Sequence, residues 1–356
     1  MAAEETQYRI DEEINSDYEV NAEDFFRTTL DEYDQFDLKA RSKGEGYIAP
    51  NFPMLNECLE GLDEGLYIIA AESNSGKSAT LLNLFCDYVL NPKNDLVGLY
   101  FTLDDSRQEI IPRIMAMHSL IPISVCSKPM RYESRMAAAP PDVYQQYAEM
   151  LEKRQEALEW IRTTNEHFKV VDTEKVRNGE QVIDYCEKML DYIHGYDTSL
   201  NLIVAIDSLA DLKFPSMGFR AGDEYAEMSY AAEQVKDWAM QILKCPIFTT
   251  YHLKKIDQSK RPTIADLRGA GRLIYEASVV FLAHNDVGRN GDNAAICVID
   301  EATKETVPVI ELQWAKNKKS SFKGRTYYRF YPNCSKIYEC SPEEKERFDS
   351  LIYSSK

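Results

Sequence analysis

Residues 71–78 of the chain read Ala-Glu-Ser-Asn-Ser-Gly-Lys-Ser and lie between the apolar segment 65–71 and a helical pattern at about 77–90. A strand, a turn ending in Gly-Lys-Ser and a helix form the usual context of a phosphate-binding loop. Backbone N–H groups at a helix start can surround phosphate oxygens, while the lysine reaches the β and γ phosphates. The stretch therefore predicts an ATP site. The predicted binding residues are Ala71, Glu72, Ser73, Asn74, Ser75, Gly76, Lys77 and Ser78.

Short apolar runs alternate with helical patterns around this loop, which is typical of an α/β domain with a largely parallel central sheet. Near-continuous apolarity suits strands that are buried on both faces. The predicted strands are 65–71, 97–103, 202–207, 246–251 and 277–283. The predicted helices are 77–90, 106–118, 141–163, 178–194 and 224–244. From 307 to 338 the pattern indicates a β-rich carboxy-terminal end.

The apolar run 202–206 ends in a carboxylate, Asp207. An acid in this position beside a phosphate-binding loop orients Mg²⁺ in many nucleotide hydrolases. Taken alone, the same pattern also suits a structural cap or turn. Together with the Ser78 hydroxyl, it predicts a magnesium site formed by Ser78 and Asp207.

The bulk composition is that of a folded globular protein, with 44% hydrophobic and 28% charged residues in a chain of 356. No run approaches the ~18 apolar residues of a membrane span, and the acidic start is unlike a signal or transit peptide. Eight cysteines are scattered singly, which argues against a zinc site or a disulfide framework. We therefore expect a cytoplasmic protein without membrane contact, located in the bacterial host cytosol if it is phage-encoded.

The formal net charge of −18 argues at first against a nucleic-acid partner, because DNA binding depends on Lys and Arg. Residues 1–40 hold 13 Asp or Glu against three basic residues, so −10 falls in this arm and −8 on the other 316 residues. A local basic lining for DNA is compatible with this distribution.

The amino-terminal arm divides into two predicted parts. Residues 1–20 are polar and acidic and predict a flexible tail. Within 21–44, Phe25, Phe26 and Leu30 have helical spacing, and a Gly-containing stretch follows, so we expect one short amphipathic helix and a linker.

From about residue 50 to 340 the order and spacing of these motifs resemble the carboxy-terminal motor domain of DnaB-like replicative DNA helicases of phage or mobile-element type. That family commonly carries alanine at the position of Ala71. The resemblance implies a RecA-like P-loop core at 45–342, with 343–356 as a carboxy-terminal tail. It also implies that Asp104 activates the attacking water, that Asp207 orients magnesium and that His252 senses the γ phosphate.

Two further segments carry the resemblance. Residues 261–271 are similar to the family's Arg-Pro-x-x-x-Asp-Leu-Arg-x-x-Gly segment, which implies a channel loop that grips the DNA backbone through Arg268, Gly269 and Gly271. Taken alone, this segment also suits a salt-bridged surface loop. Residues 313–318 occupy the place of the family's Lys-x-Arg pair, so the resemblance implies that Lys316 and Lys318 reach the nucleotide of a neighbouring subunit.

Three positions depart from the family pattern: Asp104 replaces glutamate, His252 replaces glutamine and Lys318 replaces arginine. Lysine lacks the bidentate fork of arginine, so Lys318 favours slow turnover. Arg325, Arg329 and a shifted backbone are three candidates to compensate for the missing guanidinium.

The leading hypothesis is an ATP- and Mg²⁺-dependent, ring-forming helicase that acts on single-stranded DNA at a replication fork. The resemblance implies a hexameric homo-oligomer closed by the helix within 21–44, with primase or loader contacts through other surfaces or separate proteins. Two alternatives stay open. One is a RecA-like recombination or accessory ATPase that binds DNA without unwinding it, and the other is a nucleotide-gated regulatory or scaffold protein with weak hydrolysis.

Overall fold

The structure is a computed structural model that describes residues 33, 34, 38, 46–164, 166–220, 222–254, 257, 260–267 and 271–353. The chain divides into two units, Met1–Gly46 and Tyr47–Lys356. The predicted acidic tail and most of the predicted segment 21–44 lie outside the described residues. All the elements below belong to the second unit.

One sheet organises this unit. Its strands are β1 (Gly65–Ala71), β2 (Leu96–Thr102), β3 (Phe168–Asp172), β4 (Asn201–Asp207), β5 (Pro246–His252), β6 (Val279–Asn285), β7 (Cys297–Ile299), β8 (Thr306–Asn317), β9 (Arg325–Tyr331) and β10 (Lys336–Glu339). Their order is β10-β9-β8-β6-β1-β5-β4-β2-β3, and β7 pairs with β8. The strands from β6 to β3 in this order run parallel, whereas β7, β8, β9 and β10 pair antiparallel. The predicted α/β class with a β-rich carboxy-terminal end is confirmed.

Helices cover both faces of the sheet. They are α1 (Pro53–Leu59), α2 (Lys77–Val89), α3 (Arg107–Ser119), α4 (Ile123–Ser127), α5 (Pro129–Met136), α6 (Pro141–Thr164), α7 (Gly179–His194), α8 (Glu224–Asp237), α9 (Gly271–Glu276), α10 (Asp286–Asn290) and α11 (Pro342–Tyr353). A π-helical turn, Trp238–Ile242, continues α8, so the predicted helix 224–244 is not α-helical throughout.

The core has two main layers, one on each side of the parallel strands. Tyr67, Tyr100 and Phe248 point to the side on which α2 packs. Side chains of the alternate positions, such as Phe101 and Ile247, point to the other side with residues of α7 and α8. Because strands buried on both faces carry apolar residues at successive positions, the near-continuous apolar runs follow from this layering.

The carboxy-terminal end differs from the prediction. Residues 343–356 are predicted as a tail, but Pro342–Tyr353 form α11 and pack on the sheet. Phe348 is fully buried against Tyr327, with ring centroids 5.2 Å apart, and the Tyr327 hydroxyl donates to Asp349 at 2.6 Å. The short apolar spacing of Phe348 and Ile352 within a charged stretch is a weak sequence signal for this packing.

Candidate functional site

The loop at 72–76 joins the carboxyl end of β1 to the start of α2. Its last residue, Gly76, has φ +88°, a left-handed conformation that a residue with Cβ rarely adopts. A Cβ added at Gly76 would lie 2.6 Å from Cδ1 of Ile310 on β8. A side chain at this position would therefore have a strained backbone conformation, and its Cβ would require the loop or the Ile310 side chain to shift.

Lys77 begins α2, and its side chain lies within the loop. The residue is 6% exposed, and Nζ donates to the carbonyl oxygen of Glu72 at 2.8 Å. Burial lowers the pKa of Lys77 below its usual range, and the carboxylates of Asp207 and Glu72 oppose this shift. Glu72 is in turn paired with Arg289 at 2.6 Å. The loop thus surrounds an amine that can meet phosphate oxygens.

Asp207 ends β4, the strand between β5 and β2. Its two carboxylate oxygens accept hydrogen bonds from two hydroxyl groups. The Tyr100 hydroxyl donates to Oδ2 at 2.9 Å, and Thr250 Oγ1 donates to Oδ1 at 2.5 Å. Burial, followed by the nearby Asp207 carboxylate, raises the pKa of Tyr100 well above its usual value, so this hydroxyl stays protonated.

A cleft of about 600 Å³ lies at the carboxyl ends of the parallel strands. It brings together eight of the sequence-predicted residues: Ser73, Asn74, Gly76, Lys77, Ser78, Asp104, Asp207 and His252. Ala71, Glu72 and Ser75 belong to the same strand and loop but do not line the cleft. One cleft therefore contains residues of the predicted phosphate loop, the acid predicted to activate water, the acid predicted to bind magnesium and the histidine predicted to sense the γ phosphate.

His252 ends β5 directly beside Ala71 of β1. Burial and then the Lys77 ammonium lower the pKa of His252, against the pull of Asp211, Asp207 and Asp104. A neutral imidazole is therefore favoured near neutral pH, and a neutral imidazole can donate from one ring nitrogen and accept at the other.

Arg113 of α3 lines the same cleft and was not predicted. Its Nη1 lies 2.7 Å from Oδ2 of Asp105, the residue next to Asp104. Its charge also acts on Tyr100, since it is among the causes that lower the Tyr100 pKa. No feature of the single sequence marks this arginine, because it lies in the middle of a helix and outside every motif.

Lys316 and Lys318 do not line the cleft of their own chain. Lys316 pairs in register with Val280 near the start of β6, whereas the cleft lies at the carboxyl ends of the parallel strands. Both amines donate to the carbonyl oxygen of Tyr275, at 2.8 Å from Lys316 and 3.0 Å from Lys318. Burial, followed by the neighbouring Lys318 charge, lowers the pKa of Lys316 to about 8.

The two arginines considered as substitutes for Lys318 are engaged elsewhere. Arg325 pairs with the buried Glu311 at 2.6 Å, and Arg329 pairs with Glu344 of α11 at 2.9 Å. Neither lines the cleft beside the predicted phosphate loop (the phosphate cleft). Their role as substitutes for Lys318 at a neighbouring subunit stays a prediction.

The predicted DNA loop is described only in part. Arg268 and Gly269 lie outside the described residues, and Gly271 begins α9. Arg261, at the start of the segment, pairs with Glu311 at 2.8 Å. The predicted DNA contacts of this loop stay a prediction.

The donor set of the cleft fits Mg²⁺. This ion prefers oxygen ligands, and proteins usually bind it through one or two side chains together with substrate phosphates. Ser78 and Asp207 supply a hydroxyl and a carboxylate to one cleft. Among the residues the structure describes, no group of three or more His, Cys, Asp or Glu could hold a metal ion.

Within the described part of the chain, no helix has the combined length and apolarity that crossing a membrane requires.

Comparisons with known proteins agree with the geometry. The family model for the DnaB-like helicase C-terminal domain matches residues 48–336. One solved ATPase domain is similar to this chain with a TM-score of 0.64 and 17% identity, covering 91% of this chain and all of that one. A DnaB-like replicative helicase, solved in a study of its interactions with primase, has a TM-score of 0.62 and 17% identity, covering 86% of this chain and 67% of its own. No curated protein matches the sequence.

Proposed function

Because the chain belongs to the DnaB-like helicase C-terminal domain family, whose members are ATP-hydrolysing DNA helicases, we propose that it is the motor of a ring that moves along single-stranded DNA and separates duplex strands at a replication fork. The observation that carries this proposal is the cleft at the carboxyl ends of the parallel strands. There Lys77, Ser78, Asp207 and Asp104 meet around one space.

In the proposed mechanism the loop at 72–76 and the start of α2 hold the phosphates of ATP through backbone N–H groups and Lys77. Ser78 and Asp207 would hold Mg²⁺, which supplies charge neutralisation at the β and γ phosphates when bound. Asp104 orients and deprotonates the attacking water, and His252 contacts the γ phosphate. Arg113 provides a guanidinium from the same chain.

Lys316 and Lys318 would complete the site of an adjacent subunit. Their position near the start of β6, away from the cleft of their own chain, supports a role in trans. Such an arrangement makes hydrolysis depend on assembly, so we propose a hexameric ring. The helix predicted within 21–44 would close this ring.

The DNA contacts are proposed for the loop that carries Arg268, Gly269 and Gly271. A primase is proposed as a separate partner, since one structural relative was solved in a study of its interactions with primase.

The experiment that tests this function measures ATP turnover with and without single-stranded DNA, together with displacement of a strand from a forked duplex. A helicase shows DNA-stimulated turnover and ATP-dependent displacement. Stimulated turnover without displacement would instead support an accessory or recombination ATPase. ATP binding with negligible turnover in both conditions would support a regulatory role.

A further inference from the structure

Asp207 is held on both sides by side chains whose only polar group is a hydroxyl. In the sheet register Asp207 lies beside Thr102 of β2, and Tyr100 is two residues before Thr102 on the same face. On the other side, Ile206 lies beside Thr249 of β5, so Thr250 is next to Asp207. The parallel register thus brings one hydroxyl to each carboxylate oxygen.

Both donors are buried in the sheet. Tyr100 is fully buried, and Thr250 has no exposed surface. Each hydroxyl can donate one hydrogen bond, and each donates it to Asp207, at 2.9 Å from Tyr100 and 2.5 Å from Thr250. Hydrogen bonds to an ionised acceptor are stronger than those between neutral groups. The carboxylate is therefore fixed in rotation, with its remaining lone pairs available to the cleft.

We propose that Tyr100 and Thr250 are positioning residues that fix the Asp207 carboxylate in the orientation required for binding Mg²⁺ with ATP. The proposal rests on the proposed function, in which Asp207 holds the ion. It goes beyond that function because neither residue lines the cleft. Each acts on the ion only through the carboxylate, as outer partners of metal ligands commonly do.

Two conservative variants remove one hydroxyl each, Tyr100→Phe and Thr250→Val. The chain offers a matched control for each. Tyr327→Phe also removes a buried tyrosine hydroxyl from a carboxylate, that of Asp349, outside the cleft. Thr249→Val removes a buried hydroxyl from the neighbouring position of β5, where it donates to the carbonyl oxygen of Ile206.

The readout is the affinity for Mn²⁺ in the presence of a non-hydrolysable ATP analogue, measured by electron paramagnetic resonance on the full chain. A fluorescent ATP analogue in EDTA measures nucleotide affinity without metal. We expect Tyr100→Phe and Thr250→Val to weaken Mn²⁺ binding by about 10-fold or more, the usual effect of losing an outer partner. Nucleotide affinity in EDTA should stay unchanged, and both control variants should behave as the wild type.

Wild-type Mn²⁺ affinity in both variants would overturn the positioning role, as would an equal loss of nucleotide affinity in EDTA, which indicates general damage to the sheet. If the melting temperature of Tyr100→Phe falls below the assay temperature, Thr250→Val alone provides the test. A wild-type chain whose nucleotide binding does not respond to metal would refute the proposed nucleotide site itself, and the positioning role with it.

Discussion

Arg113 places a guanidinium in the phosphate cleft, where it is paired with Asp105 at 2.7 Å. An arginine that contacts the phosphoryl group during transfer raises turnover by roughly 10³- to 10⁵-fold in related phosphoryl-transfer enzymes. We expect Arg113→Ala to lower ATP turnover by at least about 10³-fold, with a smaller effect on nucleotide affinity. Steady-state turnover and nucleotide binding measure the two effects.

Asp105→Asn is the matched control for Arg113→Ala, because it removes the ion pair and keeps the guanidinium. If Arg113 acts on phosphate, this variant retains most of the turnover. Equal losses in the two variants would mean that the pair serves only to hold the start of α3.

The titration of Lys316 predicts how ATP turnover depends on pH. Burial and the Lys318 charge lower its pKa to about 8, so its amine is charged below that pH and neutral above it. If a charged Lys316 acts on the neighbouring nucleotide, turnover should fall as the pH rises through about 8. Lys316→Arg stays charged and should remove this alkaline decline from the pH profile.

Lys319→Arg is the control for this profile. Lys319 lies three positions along the chain and donates to the carbonyl oxygen of Glu64 at 2.6 Å, so its substitution should leave the decline in place. Persistence of the decline in Lys316→Arg would show that another group titrates.

At this scale the sequence predicted the residues that its motifs mark and missed those that only packing brings close. Lys77, Ser78 and Asp207 follow from local patterns, a loop after a strand and an acid at a strand end. Arg113 and Tyr100 carry no such signal. Their proximity to the phosphate loop depends on the strand order and on the side of the sheet that each faces, neither of which can be read from one segment.

Among the structural elements, the phosphate loop depends on glycine at its last position. Gly76→Ala would introduce a Cβ 2.6 Å from Ile310 at a backbone φ of +88°. Gly218 is a suitable control, since it also has positive φ, +64°, but open space around it. Gly218→Ala should cost about 1–2 kcal/mol of unfolding free energy from backbone conformation alone.

Gly76→Ala should cost more than Gly218→Ala, because the loop or the Ile310 side chain must shift, and a shift of the loop should also weaken ATP binding. Chemical denaturation and nucleotide titration provide the measurements. Removing the clashing Cδ1 with Ile310→Val should recover part of both losses. Equal stability of the two alanine variants with normal ATP affinity would show that the loop tolerates the added Cβ.

The segment 261–271 is the element on which DNA binding is proposed to depend. Arg268→Ala should weaken single-stranded DNA binding regardless of base sequence. It should also reduce the slope of log affinity against log salt by about 0.7 for each phosphate that the variant no longer neutralises. Arg272→Ala is the control, because Arg272 already pairs with Glu233 and Glu276. An unchanged salt slope for Arg268→Ala would exclude a phosphate contact by this residue.

Strand β1 was predicted with the observed bounds because a continuous apolar run is followed at once by the loop and α2. Strand β3, Phe168–Asp172, was missed, since five residues that include Lys169 give little apolar signal. Helix α11 was missed for a related reason. Its apolar side packs Phe348 against Tyr327 of β9, a contact with another element that the pattern of 342–353 alone does not mark.

At the scale of the whole molecule, two sets of catalytic candidates lie at opposite ends of the strands of the sheet. The cleft residues lie at the carboxyl ends of the parallel strands, and the Lys316 and Lys318 pair lies near the start of β6. One chain therefore holds the phosphate loop and the lysine pair at different places. Under the proposed function, subunits in a ring bring the lysine pair of one chain to the cleft of the next.

The most direct test of the central claim is ATP-dependent strand displacement from a forked DNA duplex, compared between the wild type, Lys77→Ala and the surface control Lys153→Ala. We predict displacement by the wild type and by the control, and none by Lys77→Ala, which should stay folded by circular dichroism and lose ATP turnover. Displacement by Lys77→Ala at the wild-type rate, or none by the wild type in the presence of Mg²⁺ and ATP, would contradict the assignment of an ATP-driven helicase motor.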